Sequence, residues 1–381
     1  MITWRSGTVL SCGRGWQGAQ ELLVDVDGEQ VRALAYTDVV GSPEAGDRVT
    51  LNVSALARGL GTGGYALVVA LPDRLPPDPP PGPGHLVKAR YTPLQALVLG
   101  ADEQESPHHE ALADADDLDA LPVVVADLHS ALPAVVAGAR HAAARAGRDA
   151  PRVAYVMTDG GALPAAFSRT VAGLRDAGWL DSCITVGQAY GGDHEAVTVH
   201  TGLLTARHVV GADLAVVAQG PGNLGTGTRW GFSGVQVGDV VNAVGTLGGR
   251  AVASLRVSGA DARDRHLGVS HHSMTAYGRV ALAAADVVVP RPVEALEQMP
   301  SWPAGLTRRV DVQAATLTAP GARHRLVEVV ADEPLVAALR ACPVGLRTMG
   351  RDLDGDPSSF VAAAVAGVHA EQLRVPAAPR P

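Results

Sequence analysis

No apolar run in these 381 residues reaches the roughly 18 that would span a bilayer, and the start, MITWRSGTVLSCGRGWQG, lacks the basic flank and continuous apolar stretch of an export signal. Both absences predict a cytoplasmic chain with no membrane partner. Cysteine is scarce: Cys12, Cys183 and Cys342 are odd in number, far apart and outside any C-x-x-C pattern, which argues against a disulfide framework or a zinc ribbon. They read as small buried hydrophobes. Lysine is scarcer still, Lys88 being the only one among 31 basic residues. A GC-rich genome favours arginine codons and accounts for this, and against that background a surviving ammonium is informative. A basic excess is also missing. The net charge of −8 comes from eight acids between Asp102 and Asp119, and the rest of the chain holds 31 acids against 31 bases. With no clustered positive charge, nucleic-acid binding is not expected.

What is present is core material, 47% apolar against 18% charged residues, enough for two domains. Residues 1–72 alternate short β-patterned runs with turns, and Asp27-Gly28 between two of them signals a hairpin. Five such strands suggest a small barrel, an oligonucleotide-binding barrel being one possibility. The proline-rich segment 73–84 lacks backbone donors and reads as a semi-rigid linker. Residues 85–374 carry apolar strand-like runs near 123–126, 153–157, 183–186, 214–218, 252–255 and 287–289, and helix-length segments separate the first five. That alternation predicts an α/β domain, a mostly parallel, Rossmann-like sheet with helices on both faces. Further strands are expected at 309–312 and 326–330, and further helices from Glu333-Pro334 and Ser358-Ser359. The acidic stretch 102–119 reads as a solvated loop or surface helix, and 375–381 as a disordered tail.

Ligands of parallel α/β sheets bind beyond the carboxyl ends of the strands, and the polar residues of this chain gather there. Two strands end in the similar phrases Asp127-Leu128-His129-Ser130 and Asp159-Gly160-Gly161. If these strands are neighbours, Asp127 and Asp159 share a cation or substrate; otherwise both are turn or capping residues. Asp193, His194 and Glu195 read as the opening of a helix, with Asp193 as its cap or as a ligand group. The stretch 220–234 is glycine-rich. Gly222, Gly225 and Gly227 would let backbone amides cradle an anion, with Thr226, Thr228 and Arg229 as extra donors, or would simply order a loop. His271 and His272 follow as candidate acid/base or metal-binding groups. With Asp127, His129 and Asp159 they would make a mixed nitrogen and oxygen site for a divalent metal. Lys88, Arg90 and Tyr91 stand together after the linker, as anion donors or as a polar surface connection.

Taken jointly, Lys88-Ala89-Arg90-Tyr91-Thr92-Pro93, the two aspartate phrases, Gly191-Gly192-Asp193, the 220–234 loop and Ser270-His271-His272 resemble a bacterial family catalogued as domain of unknown function 3866. The resemblance covers nearly the whole chain and implies no activity. From the residues themselves, the leading expectation is a small-molecule hydrolase or transferase acting on a phosphorylated or carboxylated substrate. In it Asp127, Asp159 and His271 are catalytic, the glycine loop holds the anion, and Lys88 with Arg90 closes the site. The alternatives are a non-catalytic module that senses a metabolite or binds a partner, since no nucleophile and base pair is recognisable, and a structural assembly protein.

Overall fold

Asp27 and Gly28 both adopt positive φ, 54° and 89°, the backbone of a tight two-residue hairpin turn. The turn joins β2 (Ala19–Val26) to β3 (Glu29–Ala35). The computed structural model describes residues 1–319 and 322–374, so the tail 375–381 lies outside the described residues. The long first strand, β1 (Trp4–Trp16), pairs with β2 along its second half and with β4 (Arg48–Asn52) along its first. Register shifts between Val9 and Ser11 and between Cys12 and Gly15 mark the bulges that bend it. With β5 (Ala66–Ala70) parallel to β3, the order β1-β2-β3-β5-β4 closes a barrel, the closed Greek-key form used by oligonucleotide-binding folds. Alternation sends Leu22, Val24, Val49, Leu51 and Val68 into its core.

One patch of the barrel's outward face is covered rather than exposed to solvent. Trp16, Ala19, Leu34, Tyr36, Tyr65 and Leu67 pack on Ala166 and Phe167 of the larger domain. Trp16 Nε1 donates to the Ala166 carbonyl at 2.7 Å, and Arg169 reaches Glu21 at 3.3 Å.

After a small hairpin of β6 (Leu86–Lys88) and β7 (Ala96–Val98), the chain builds an eight-stranded parallel sheet. Its strands are β8 (Pro122–Val125), β9 (Val153–Thr158), β10 (Ser182–Thr185), β11 (His194–Glu195), β12 (Leu214–Gln219), β13 (Arg250–Ser254), β16 (Asp286–Pro292) and β17 (Arg325–Ala331), in the order β11-β10-β9-β12-β8-β13-β16-β17. A two-stranded ribbon, β14 (Val257–Ser258) with β15 (Gly268–Val269), rises from the carboxyl end of β13. Strands β8, β9 and β12 are buried almost throughout, as a sheet covered on both faces requires. Helices Leu132–Arg145, Glu333–Arg340 and Pro357–Leu373 form one layer, and Val199–Leu204, Val237–Thr246, His271–Thr275 and Leu306–Leu317 the other. In the first layer, a Cβ on Gly138 would lie 2.0 Å from the Ala364 oxygen and one on Gly367 1.9 Å from the Val135 oxygen. Backbone there touches backbone.

Two local expectations are corrected. The run 309–312 belongs to the helix Leu306–Leu317, because its buried residues Leu306, Val310, Ala314 and Leu317 recur at helical spacing and four alternating residues were too few to set a period of two. Asp193, His194 and Glu195 do not open a helix: His194 and Glu195 form the edge strand β11, and the next helix is capped three residues later by Thr198.

The connection leaving β8 feeds the helix Leu132–Arg145 on one face, whereas those leaving β12 and β13 feed helices on the other. The carboxyl end of β8 is therefore a switch point with a crevice above it. Tyr277 Oη, fully buried, sits 2.7 Å from the Val125 oxygen and 3.2 Å from the Ser254 oxygen. It ties the ends of β8 and β13 together beneath that crevice.

Candidate functional site

Asp127 stands two residues past β8, 4% exposed. Its Oδ2 is buried without a hydrogen-bond partner among the described residues, with His272 Nδ1 at 3.6 Å and Arg256 Nη1 at 3.8 Å. Arg256 stands at the corresponding place past β13. Its backbone amide donates to Ser273 Oγ at 2.9 Å, and its Nη1 donates to His272 Nδ1 at 3.1 Å. A guanidinium only donates, so in this arrangement His272 accepts at Nδ1 and carries its proton on Nε2.

The ribbon of β14 and β15 folds residues 266–272 back over Arg256, and three imidazoles converge. The His271 and His272 ring centroids are 4.4 Å apart, those of His266 and His271 4.8 Å, and those of His266 and His272 5.0 Å. Ser270 Oγ caps the helix His271–Thr275 and lies 2.8 Å from His266 Nδ1. His271 Nε2 is buried without a partner among the described residues. Burial first, then Arg256, Arg263 and the neighbouring imidazoles, push His266 down to about 3. Burial, His272 and the same arginines with Arg265 push His271 down to about 4. Both rings are neutral near pH 7.

Beside Asp127 a narrow cavity of about 30 Å³ is lined by Ser130, Arg256, Asp261, Thr348 and Arg351, room for about one water. Its far wall is braced by carboxylates. Asp261 accepts from Arg263 at 2.9 and 2.8 Å, which holds it well below the usual carboxylate range. Asp356, fully buried, accepts from Gly259 N at 3.1 Å and Ser358 Oγ at 2.7 Å.

The glycine loop flanks this site with its base. Gly234 lies on Asp127, where a Cβ would come within 2.9 Å of the aspartate Cβ. Phe232 stacks on His272, and the Gln219 amide donates to the Asp127 oxygen at 3.0 Å. The loop's own donors are turned inward. Gly225 bridges Phe232, Thr226 N donates to the Gly231 oxygen at 2.7 Å, and Thr228 Oγ1 accepts from Gly231 N at 3.1 Å. Gly222 and Gly227 take positive φ in the turns, and Arg229 stays exposed.

The remaining sequence candidates lie elsewhere. β12 runs between β8 and β9, so Asp127 and Asp159 are not on neighbouring strands, and two strand spacings separate those ends by about 10 Å. Asp159 lines a second, wider cleft of about 650 Å³ with His85, Lys88, Arg90, Tyr91 and Gln188, and its Oδ2 accepts from Gln188 N at 2.9 Å. Lys88 is buried, and its ammonium donates to the Ala189 and Ala196 oxygens at 3.0 and 2.8 Å beside Glu195 at 3.5 Å. Burial lowers the Lys88 pKa and raises that of Glu195. The lysine clamps the sheet edge to the small hairpin. Arg90 and Tyr91 are exposed, with Tyr91 at φ 60°. Asp193 braces β10, accepting from Cys183 N at 2.8 Å. His129 has both nitrogens engaged, Nδ1 at 3.0 Å from Tyr155 Oη and Nε2 at 2.7 Å from Ser168 Oγ, which removes it from the Asp127 cluster.

Sequence reading missed Arg256, His266, Phe232 and Gln219. Arg256 was within reach of the rule that singled out Asp127, since it too stands two residues past a central strand. His266 stands in the same loop as the two histidines that were chosen.

The family described as protein of unknown function (DUF3866) matches residues 32–367, and the chain belongs to it. No curated protein matches the chain. No described helix is long and apolar enough to cross a membrane.

Proposed function

Within this family of unknown function, we propose that the chain is a small-molecule enzyme, a hydrolase or transferase whose phosphorylated or carboxylated substrate binds above the carboxyl end of β8. The observation that carries the reading is the pair of buried, unpartnered atoms Asp127 Oδ2 and His271 Nε2 on one rim of the crevice. Each unsatisfied buried polar atom costs about 1–3 kcal/mol, which a ligand supplying a donor to the carboxylate and to the imidazole would recover. In this reading Arg256, with Arg265 and Arg229 nearer solvent, attracts the anion. Asp127 accepts a substrate proton or orients water, and His271 serves as the neutral base. An anion beside His271 offsets the arginines that now depress its basicity, moving it toward the range where general-base catalysis works. The three free thiols, Cys12, Cys183 and Cys342, support a reducing compartment and hence the cytoplasm.

A thermal-shift screen against phosphorylated metabolites and carboxylates tests it. A ligand at 100 times its dissociation constant adds about 2.7 kcal/mol. The shift is expected to vanish in Arg256→Ala, and turnover of the ligand in Asp127→Asn, with the fold retained. Ligand binding without any product would instead favour a metabolite-sensing module. That second reading draws on the occupied hydroxyls: Thr226, Thr228, Ser258 and Ser270 are all bonded within the protein, and none is poised as a nucleophile. A flat screen would remove both readings.

A further inference from the structure

Residues 266–272 bring three imidazoles from one short loop to one point, their nearest ligand atoms all within 4.8 Å of one another. Two of the rings are held by other side chains. Ser270 Oγ holds His266 at Nδ1, which leaves Nε2 as its ligand atom, and Phe232 sets the plane of His272 by stacking on it. The third ring, His271, keeps a buried Nε2 that has no partner among the described residues. A buried imidazole nitrogen without a partner, beside two rings held in place, is what a metal ion completes when that nitrogen is unprotonated.

We infer that His266, His271 and His272 bind a borderline transition-metal ion of the zinc or cobalt class, with Asp127 as the carboxylate that orients His272. Metal-binding imidazoles pass their second N–H to a carboxylate, a carbonyl or water, which fixes the tautomer. Asp127 Oδ2, unpartnered and 3.6 Å from His272 Nδ1, is placed for that bond. His272 thus has two exclusive partners at Nδ1. When Arg256 donates there, as at 3.1 Å, Nε2 carries a proton and does not ligate. When Nδ1–H turns to Asp127, Nε2 is free and Arg256 is released toward the crevice. Tetrahedral Zn–N bonds of 2.0–2.1 Å separate ligand nitrogens by about 3.3 Å, so the rings close in by about 1.5 Å through side-chain rotation.

The donor set selects the metal. Three nitrogens favour zinc, cobalt, nickel or iron(II), whereas magnesium and calcium take oxygen ligands. Three protein ligands leave a fourth position, as in catalytic rather than structural sites. A bound ion would take up the His271 nitrogen that the enzyme reading uses as a base, so the site is tested by metal binding alone, without a substrate.

The test is titration of the chelator-stripped full-length protein with Co²⁺ and Zn²⁺. One ion per chain is expected, with the visible absorption of a four-coordinate, nitrogen-rich Co²⁺ centre, and excess Mg²⁺ does not displace it. Affinity falls by at least about tenfold in His266→Ala and His271→Ala and by roughly 10–100-fold in Asp127→Asn, while the exposed His200→Ala binds as the parent does. If an alanine variant loses its far-ultraviolet dichroism, the corresponding glutamine variant is read instead. Substoichiometric binding, or full binding retained in His271→Ala, overturns the assignment. So does inorganic phosphate binding that excludes Co²⁺ and is lost in Arg256→Ala, which would make the cluster an anion site. A negative metal titration leaves the metabolite screen of the previous section unaffected, so the two readings fail separately.

Discussion

Phe232 lies flat against His272, ring centroids 3.8 Å apart and planes within 2° of parallel. This one contact anchors the exposed glycine loop to the histidine cluster, since Phe232 is 4% exposed while most of residues 221–231 face solvent. Truncating a buried aromatic costs about 3–5 kcal/mol, so Phe232→Ala is expected to lower stability by that order in urea titration. Phe232→Leu keeps the apolar volume and loses mainly the stacking, about 0.5–1.5 kcal/mol. No loss in Phe232→Leu would show that the stacking itself contributes nothing.

Lys88 and Glu195 form a buried pair whose removal by halves is costly. Lys88→Met leaves the Glu195 carboxylate, held by Thr185 Oγ1 and Gly191 N at 2.7 Å each, without its cation. A loss of about 3–5 kcal/mol is expected. Adding Glu195→Gln to Lys88→Met should recover much of it, giving a coupling energy in a double-mutant cycle. Purely additive losses would contradict the pairing.

Burial pushes His129 down to about 4, so the folded protein holds this ring neutral where the unfolded chain, near 6.5, protonates it. The folded pKa is depressed. The stability it contributes is therefore complete above pH 6.5 and is lost as pH falls from 6.5 toward 4, at most about 3 kcal/mol. Asp286, held low by its bonds to Arg325 and His369, adds a loss with the same sign below about pH 4. Chemical denaturation from pH 7 to 4 should show this decline, to which His266 and His271 add in the same direction, and His129→Gln should make it shallower without abolishing it. An unchanged slope in that variant would assign the decline to other groups.

Gly138 and Gly367 stand where two helices meet without side chains. The oxygens that a Cβ there would meet at 2.0 and 1.9 Å are backbone atoms and do not rotate away. Gly367→Ala and Gly138→Ala should each destabilise by about 1–3 kcal/mol or more through overpacking. Gly147→Ala, which meets no atom within 4 Å but holds φ 65°, should cost only the strain of that conformation.

The fold class was legible because each layer left its period in the chain. Strands such as Val123-Val124-Val125 are continuous apolar runs, as strands covered on both faces must be, and the barrel strands alternate. Strand order was not legible. The insertion of β12 between β8 and β9 separates Asp127 from Asp159, and only long-range pairing decides that. For the same reason the approach of Lys88 to Ala196, and of residues 266–272 to Arg256, left no local signature. The consecutive histidines were visible as candidates, whereas His266, five residues earlier, becomes their neighbour only through the turn of the β14–β15 ribbon.

The barrel's contact with Ala166 and Phe167 bears on how the chain can be divided. An α/β fragment begun after the proline-rich stretch would bare that apolar seat, and a separate barrel would bare Trp16, Leu34 and Tyr36. The matched family span starts at Arg32, inside β3, yet β3 pairs with β2 on one side and β5 on the other, and β1 is the partner of both β2 and β4. The first thirty-one residues are thus part of the folding unit, and a shortened version starting at the family boundary would carry two unpaired strand edges, those of β3 and β4, into solution, where such edges recruit one another.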